Sequence, residues 1–320
     1  MSETKTNLKT GLKTDLKTGL KTDMKRLALY LWFSFAITWA WFLIANPKGT
    51  LWTEMPDAMQ SFLALGMLFP TISHILVRHI TKEGFAMTGE GSMMLGISFR
   101  DRKWIWFVLA GLLPWLVYEL EDGIRLLICP DYFDPEYYRT FDIEEKMLYL
   151  LPVNAIVCGA IGSFAAFGEE CGWRGYMMPK MIRIFGRPKA LIVGGIVWGL
   201  WHAPLTCIGH NFGTDYWGYP YVGILKMCLL CTLLGILLTI LTEKSGSVWP
   251  AAIMHAVFNM HPGILVGYVN PDNAEGVRAS IAAYGFFVAL AITAAAMHVI
   301  CRKENTAKKD MYGEMQRKSA

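Results

Sequence analysis

Residues 147–175 read MLYLLPVNAIVCGAIGSFAAFGEECGWRG, twenty-two residues without a charge and then, in quick succession, Glu169, Glu170 and Arg174. A helix needs about 20 mostly apolar residues to cross a bilayer, and only a helix or a closed barrel satisfies its own backbone in hydrocarbon. Working outward from this stretch, read as a span over 147–169, seven more of the same kind emerge: 27–46, 58–78, 104–120, 190–208, 219–242, 248–268 and 279–301. The span at 104–120 is weakest at its far end, where Glu119, Glu121 and Asp122 appear. The expected fold is therefore all-α, a polytopic integral membrane helical bundle of about eight transmembrane helices, multi-pass in the cell membrane. Composition agrees. Of 320 residues 54% are hydrophobic and 18% charged, against about 25% charged in a soluble domain, which excludes a disordered chain, a coiled coil and most soluble enzymes.

The net charge of +4 is unevenly spread. Residues 1–26 hold seven Lys/Arg against three acids, and residues 302–320 hold six against three. Basic residues stay on the cytoplasmic side of a membrane, so with the N-terminus inside, the inner loops carry Arg78, Lys82, Arg100, Arg102 and Lys103, then Arg174, Lys180, Arg183, Arg187 and Lys189, then Lys244. The outer loops hold only Lys48, Arg125, Arg139, Lys146 and Arg278 beside 14 acids. An even number of spans then places both termini in the cytoplasm. Because the basic surplus sits in tails flanking apolar runs, not on a folded basic face, no nucleic-acid partner is expected.

The chain divides into a basic repetitive tail (1–26), a transmembrane domain (27–301) with a catalytic-looking core at about 147–268, and a second basic tail (302–320). Residues 8–25, LKTGLKTDLKTGLKTDMK, repeat an eight-residue unit. Leucine every fourth residue drifts about 40° per step around a 3.6-residue helix and builds no compact apolar face. The tail is accordingly expected to be disordered and drawn to anionic lipid headgroups. It lacks the cleavage signature of a signal peptide. The seven cysteines fall mostly inside apolar stretches, and Cys228-Leu-Leu-Cys231 reads as small apolar residues in a span.

Ionisable groups inside a span cost about 2.5–3.5 kcal/mol each on insertion scales, so those present mark function. Three clusters stand out. In Phe167-Gly168-Glu169-Glu170-Cys171-Gly172-Trp173-Arg174-Gly175, Glu170 and Arg174 share a helix face and can pair, while Glu169 points about 100° away. The plainer reading is a helix end at headgroup level. In Trp198-Gly199-Leu200-Trp201-His202-Ala203-Pro204, Trp198 and His202 share a face and Pro204 breaks the helix locally. In His255-Ala256-Val257-Phe258-Asn259 the His and Asn again lie four apart. Singly, His202 and Asn259 fit interhelical hydrogen bonding. Together the clusters form a hydrolytic inventory: a carboxylate and a histidine to deprotonate water, a second histidine and an amide to donate to an oxyanion. Glu169, His202 and His255 would equally suit a divalent metal such as zinc with an open position for water, and spacing does not choose.

These motifs resemble the CPBP family of intramembrane proteases, which includes CAAX prenyl endopeptidases and bacteriocin-processing or immunity proteins. Glu169-Glu170-Cys171-Gly172-Trp173-Arg174 matches its EExxxR motif, Trp198-xxx-His202 its FxxxH and His255-xxx-Asn259 its HxxxN, in order across residues 147–268. Trp198 departs from the family's Phe, in a position whose aromatic ring packs. The resemblance implies an abortive-infection or CAAX-protease type bundle with a cavity open towards the cytoplasm. It assigns water activation to Glu169 and His202, oxyanion stabilisation to His255 and Asn259, and orientation to Glu170 and Arg174. The expected function is a membrane-embedded endopeptidase cutting a peptide or protein substrate at the cytoplasmic face. The rival is a non-catalytic immunity or scaffold protein on the same fold. A transporter lacks the visible inverted repeat it would need.

Overall fold

The computed structural model describes residues 2–261 and 263–318, with side chains over 18–261 and 263–302. Among the described residues the only secondary structure besides helix is one isolated bridge between Phe133 and Val269. Six helical stretches are long and apolar enough to span a membrane: 18–45, 57–81, 104–128, 151–185, 221–245 and 277–302. The chain is a multi-pass membrane helical bundle.

In chain order, α1 (Ser2–Ala45) is followed by α2 (Asp57–Ala64) and α3 (Phe69–Thr81), joined by a short 3-10 turn, and by α4 (Trp104–Ile128). The one-turn α5 (Glu145–Leu148) precedes α6 (Leu151–Gly172), which continues through a π-helical turn at Trp173–Met177 into α7 (Met178–Phe185). Then come α8 (Arg187–Trp201), the single turn α9 (Ala203–Thr206), α10 (Tyr221–Ser245), α11 (Trp249–Phe258), α12 (Val277–Ala282) and α13 (Gly285–Lys318).

Each of the eight expected stretches contains a helix, with three adjustments. α4 runs eight residues beyond 120, because its charges find partners: Arg125 lies 3.3 Å from Asp122 and 3.7 Å from Glu121, and Glu119 accepts the Trp115 indole N–H at 2.8 Å. The 190–208 stretch holds α8, which stops at Trp201, because Pro204 starts the new turn α9. The 248–268 stretch yields only the ten residues of α11, since Asn259 ends the helix and the apolar residues from Leu265 to Tyr268 form only a short 3-10 turn. α8 and α11 are about 22 and 15 Å long at 1.5 Å per residue. Both are too short to span alone; α8 packs on α10 and leaves Ile192, Val193, Ile196 and Leu200 exposed on another face, while α11 is buried against α6.

Glycine permits that close approach, as it does where hydrocarbon supplies no drive for helix association. A Cβ on Gly159 of α6 would lie 2.8 Å from the Val257 backbone, and one on Gly199 of α8 would lie 2.4 Å from Cys228 Cα. α1 buttresses the centre: Trp201 Nε1 donates to Thr38 Oγ1 at 3.0 Å, and Trp39 Nε1 donates to the Trp201 carbonyl at 3.1 Å.

Residues 18–26 belong to α1 and are helical. Asp23 is buried against Lys180 (3.7 Å) and Arg183 (3.2 Å). The side chains of residues 1–17, which hold most of the repeat, and of residues 303–320 lie outside the described residues. Nearby, Glu83 accepts from Lys180 Nζ at 2.6 Å, from Thr81 Oγ1 at 3.0 Å and from the Tyr176 hydroxyl. Burial pushes the Glu83 carboxyl up, but the hydrogen bonds from Lys180, Tyr176 and Thr81 outweigh it and hold it below the ordinary carboxylate value.

A carboxyl depressed on folding contributes stability above its unfolded pKa and loses it as pH falls through the folded one. Thermal unfolding in detergent is therefore expected to show wild type more stable than Glu83→Gln at neutral pH. The gap should close as pH drops below about 4. A gap that persists in acid would show that the carboxylate charge contributes nothing.

Candidate active site

The bundle has two distinct ends. One carries Arg78, Arg100, Arg102, Lys103, Lys180, Arg183, Arg187, Lys189 and Lys244, and is stitched together by Arg187–Glu243 (2.9 Å) and by Val248 N–H donating to the Met94 carbonyl (2.9 Å). The other is the end at which α4 finishes and α10 and α13 begin. It is tied by Tyr132 donating to the Ala279 carbonyl and by Asn270 N–H donating to the Tyr132 carbonyl. The three polar clusters lie between these ends.

Glu169 and Glu170 are not at a helix end. α6, the π turn and α7 form one continuous stretch, 151–185, and both carboxylates are buried inside it, Glu170 completely. That removes the headgroup-level reading. A π turn inserts one residue into the helical register and is common at functional sites; here it begins one residue after Gly172, directly below the pair.

Glu170 and Arg174 meet as their spacing predicts, Arg174 Nη1 lying 3.0 and 3.1 Å from the two carboxylate oxygens. Glu170 also accepts from His255 Nδ1 at 2.8 Å, across 85 residues of chain. The Arg174 guanidinium carbon stands 4.0 Å from the centroid of the Trp198 ring. The Glu170 carboxylate thus orients one cation and one imidazole at once.

Glu169 points away from this pair, as its position 100° around the helix requires. Its Oε2 accepts from Trp198 Nε1 at 2.7 Å and from Trp173 Nε1 at 3.3 Å, so Oε1 is left by both indoles for other work. Trp198 does more than pack: a phenylalanine there has no N–H to give.

His202, at the junction of α8 and α9, donates from Nδ1 to the Trp198 carbonyl at 2.9 Å. A carbonyl only accepts, so Nδ1 carries the proton and Nε2 keeps its lone pair, the tautomer a general base needs. His255 donates from Nδ1 to the Glu170 carboxylate, which favours the imidazolium, the form in which Nε2 also carries a proton to donate. Asn259 caps the end of α11 at the bundle interior and is exposed.

A cavity of about 790 Å³ reaches His255, Asn259 and Trp198. Tyr118, Leu234 and Phe258 line its inner wall, and Asn211, Asp215 and Ser280 stand at its mouth. Glu169 and His202 do not line it: the Trp198 indole, hydrogen-bonded to Glu169, stands on the wall in front of them. The mouth lies among residues 211–216, 259–261, 263–266 and 280–287, opposite the basic end.

Among the described residues no group of three His, Cys, Asp or Glu side chains is arranged to hold a metal ion. Trp198 lies next to each of Glu169, His202 and His255: its ring centroid is 5.9 and 5.5 Å from those of the two imidazoles, and its Nε1 donates to the carboxylate.

Three contributors escaped sequence reading. Tyr118 donates to the Phe258 carbonyl at 3.1 Å and holds the end of α11. Glu119 accepts from the backbone N–H groups of Ile264 and Leu265, anchoring the loop that follows Asn259. Lys226 sits inside α10 on the cavity wall, 4.8 Å from the Tyr216 ring centroid and 5.7 Å from that of Tyr284, with no ion pair among the described residues. Its signal was a lone charge in an otherwise uncharged span, the criterion that picked out Glu169.

The fold and the site together define a multi-pass membrane protein with buried Glu169, His202 and His255 and an exposed Asn259 gathered beside a cavity. Residues 151–261, which contain all four, match the model of the family described as type II CAAX prenyl endopeptidase Rce1-like. A curated CAAX prenyl protease 2 from Methanococcus maripaludis is 31% identical over 102 residues, covering 32% of this chain and 38% of the relative. The match thus spans 38% of that relative's length and coincides with the core on which the motif resemblance was drawn.

Proposed function

We propose that the protein is an intramembrane endopeptidase that uses Glu169 as general base. The observation that supports this best is the divided labour of the adjacent carboxylates. Glu170 is spent on Arg174 and His255, while Glu169 is held in place by two indoles acting on one oxygen. Glu169 Oε1, assisted by His202 Nε2, takes a proton from water as the oxygen attacks the scissile carbonyl carbon. The carbonyl π pair moves onto oxygen, and that oxyanion accepts hydrogen bonds from His255 and Asn259. Collapse breaks the C–N bond, and the proton held at Glu169 passes to the leaving nitrogen. Water must pass Trp198 to reach Glu169, so the indole has to shift when substrate enters.

The position of Trp198 also favours a second reading, a non-catalytic membrane protein that binds an immunity or secretion partner through the same cavity. Purified protein in detergent, incubated with a diverse peptide library and followed by mass spectrometry, separates the two. The enzyme reading expects new termini from wild type and none from the Glu169→Gln/His202→Ala double variant. A biological phenotype that survives in the double variant, with no cleavage by wild type, establishes the binding reading.

A further inference from the structure

Lys226 is the single charge between Tyr221 and Thr242 of α10, and an ionisable group inside a span marks function by default. Three aromatic rings flank its Nζ, with centroids at 4.8 Å (Tyr216), 5.7 Å (Tyr284) and 5.9 Å (Phe212). They come from the loop before α10 and the turn between α12 and α13. Ring faces attract an ammonium but carry no net charge to neutralise it. The acids of the same cavity do not supply one. Glu121 and Asp122 are occupied by Arg125 at 3.7 and 3.3 Å, and exposed Asp215 makes no ion pair among the described residues. A lysine that merely snorkels would carry its amine out to the membrane surface, whereas this one is held by rings on the cavity wall.

The placement of Lys226 ties it to the site. Lys226, Leu230 and Leu234 follow at four-residue intervals and all line the cavity that reaches His255 and Asn259, so they form one face of α10. Beside that face, Cys231 Sγ lies 4.0 Å from His202 Nδ1. The five residues from Lys226 to Cys231 rise about 7.5 Å along the helix, and an extended peptide advances about 3.3 Å per residue. A group held at Lys226 is therefore within a few residues of the scissile bond. An unmodified peptide offers one kind of anion, the carboxylate. We infer that Lys226 is a specificity residue that pairs with a carboxylate of the bound peptide, its free C-terminus or an Asp or Glu side chain, and so sets which bond is presented to Glu169. The role in cleavage rests on the endopeptidase reading; carboxylate capture is measured without cleavage.

A randomised hexapeptide library, made in parallel as C-terminal acids and C-terminal amides, is the probe. It is applied to the full-length Glu169→Gln protein in detergent, and retained peptides are identified by mass spectrometry. Acids retained over amides assign the C-terminal carboxylate; Asp or Glu enriched among retained amides assigns a side chain. Either preference is expected to fall about tenfold or more in Lys226→Met, as loss of a charge-assisted hydrogen bond implies, and to survive in Lys226→Arg. Retention indifferent to carboxylate, no retention at all, or a preference unchanged in Lys226→Met overturns the inference.

Carbodiimide coupling of the acid library needs no variant at position 226. The amide bond it forms is expected at Lys226, and coupling that passes Lys226 by equally overturns the inference. Library cleavage by the protein with Glu169 intact keeps the two readings apart. Carboxylate capture at Lys226 without cleavage sinks the endopeptidase reading alone. Cleavage indifferent both to carboxylate and to Lys226→Met sinks this inference and spares that reading.

Discussion

Glu169→Gln is expected to abolish peptide cleavage while leaving the folded protein intact. A positioned general base contributes about 10²–10⁴-fold, and glutamine has no carboxylate to accept the proton of water. The substitution is nearly isosteric, and the amide oxygen still accepts the indole N–H groups of Trp198 and Trp173, which bond to Glu169 at 2.7 and 3.3 Å. Expression, detergent elution profile and thermal midpoint should therefore match wild type while kcat/KM falls. Wild-type cleavage by the variant would refute the mechanism. A fall in kcat/KM accompanied by loss of the folded peak would instead mean that Glu169 holds the α6–α8 contact together.

Arg174→Ala is expected to have the larger effect on stability. Removing one member of a buried ion pair costs about 3–5 kcal/mol because the partner is left charged and unpaired. Here the partner is Glu170, fully buried, whose remaining neighbour is His255. Loss of the guanidinium also uncovers the Trp198 face on which it stacks at 4.0 Å. Arg174→Lys keeps the charge but not the planar fork or the stacking, so its thermal midpoint should fall between the other two. Equal stability of all three proteins would show that the pair is not coupled to the fold. If the order holds, activity should follow it, since Glu170 also sets the position of His255.

Local pattern made much of this protein legible. Each apolar stretch contains a helix, because in hydrocarbon a run of uncharged residues has no other way to satisfy its backbone. The Glu170–Arg174 pair and the divergence of Glu169 follow from residues within a turn or so of each other, and the three motifs lie within residues 151–261, the stretch that matches the family model. Errors arose where apolarity was taken for length. The stretches 190–208 and 248–268 carry enough apolar residues to span, yet Pro204 and the cap at Asn259 cut their helices to 15 and ten residues. Conversely, Glu119, Glu121 and Asp122 looked like the end of a span, and helix α4 continues past them because Arg125 and the 264–265 backbone satisfy them.

The contacts that make a site lay beyond such reading. His255 meets Glu170 across 85 residues and Trp198 meets Glu169 across 29. Both distances depend on how closely α11 and α8 approach their neighbours, an approach permitted by the missing Cβ atoms of Gly159 and Gly199. Periodicity says which residues share a helix face and loop charge says which ends share a side of the membrane. Neither says which faces pack together or which end is left open, because those follow from side-chain volumes summed over the whole bundle. The tertiary structure alone therefore decided that Trp198 stands between the cavity and Glu169, and that the cavity opens opposite the basic loops.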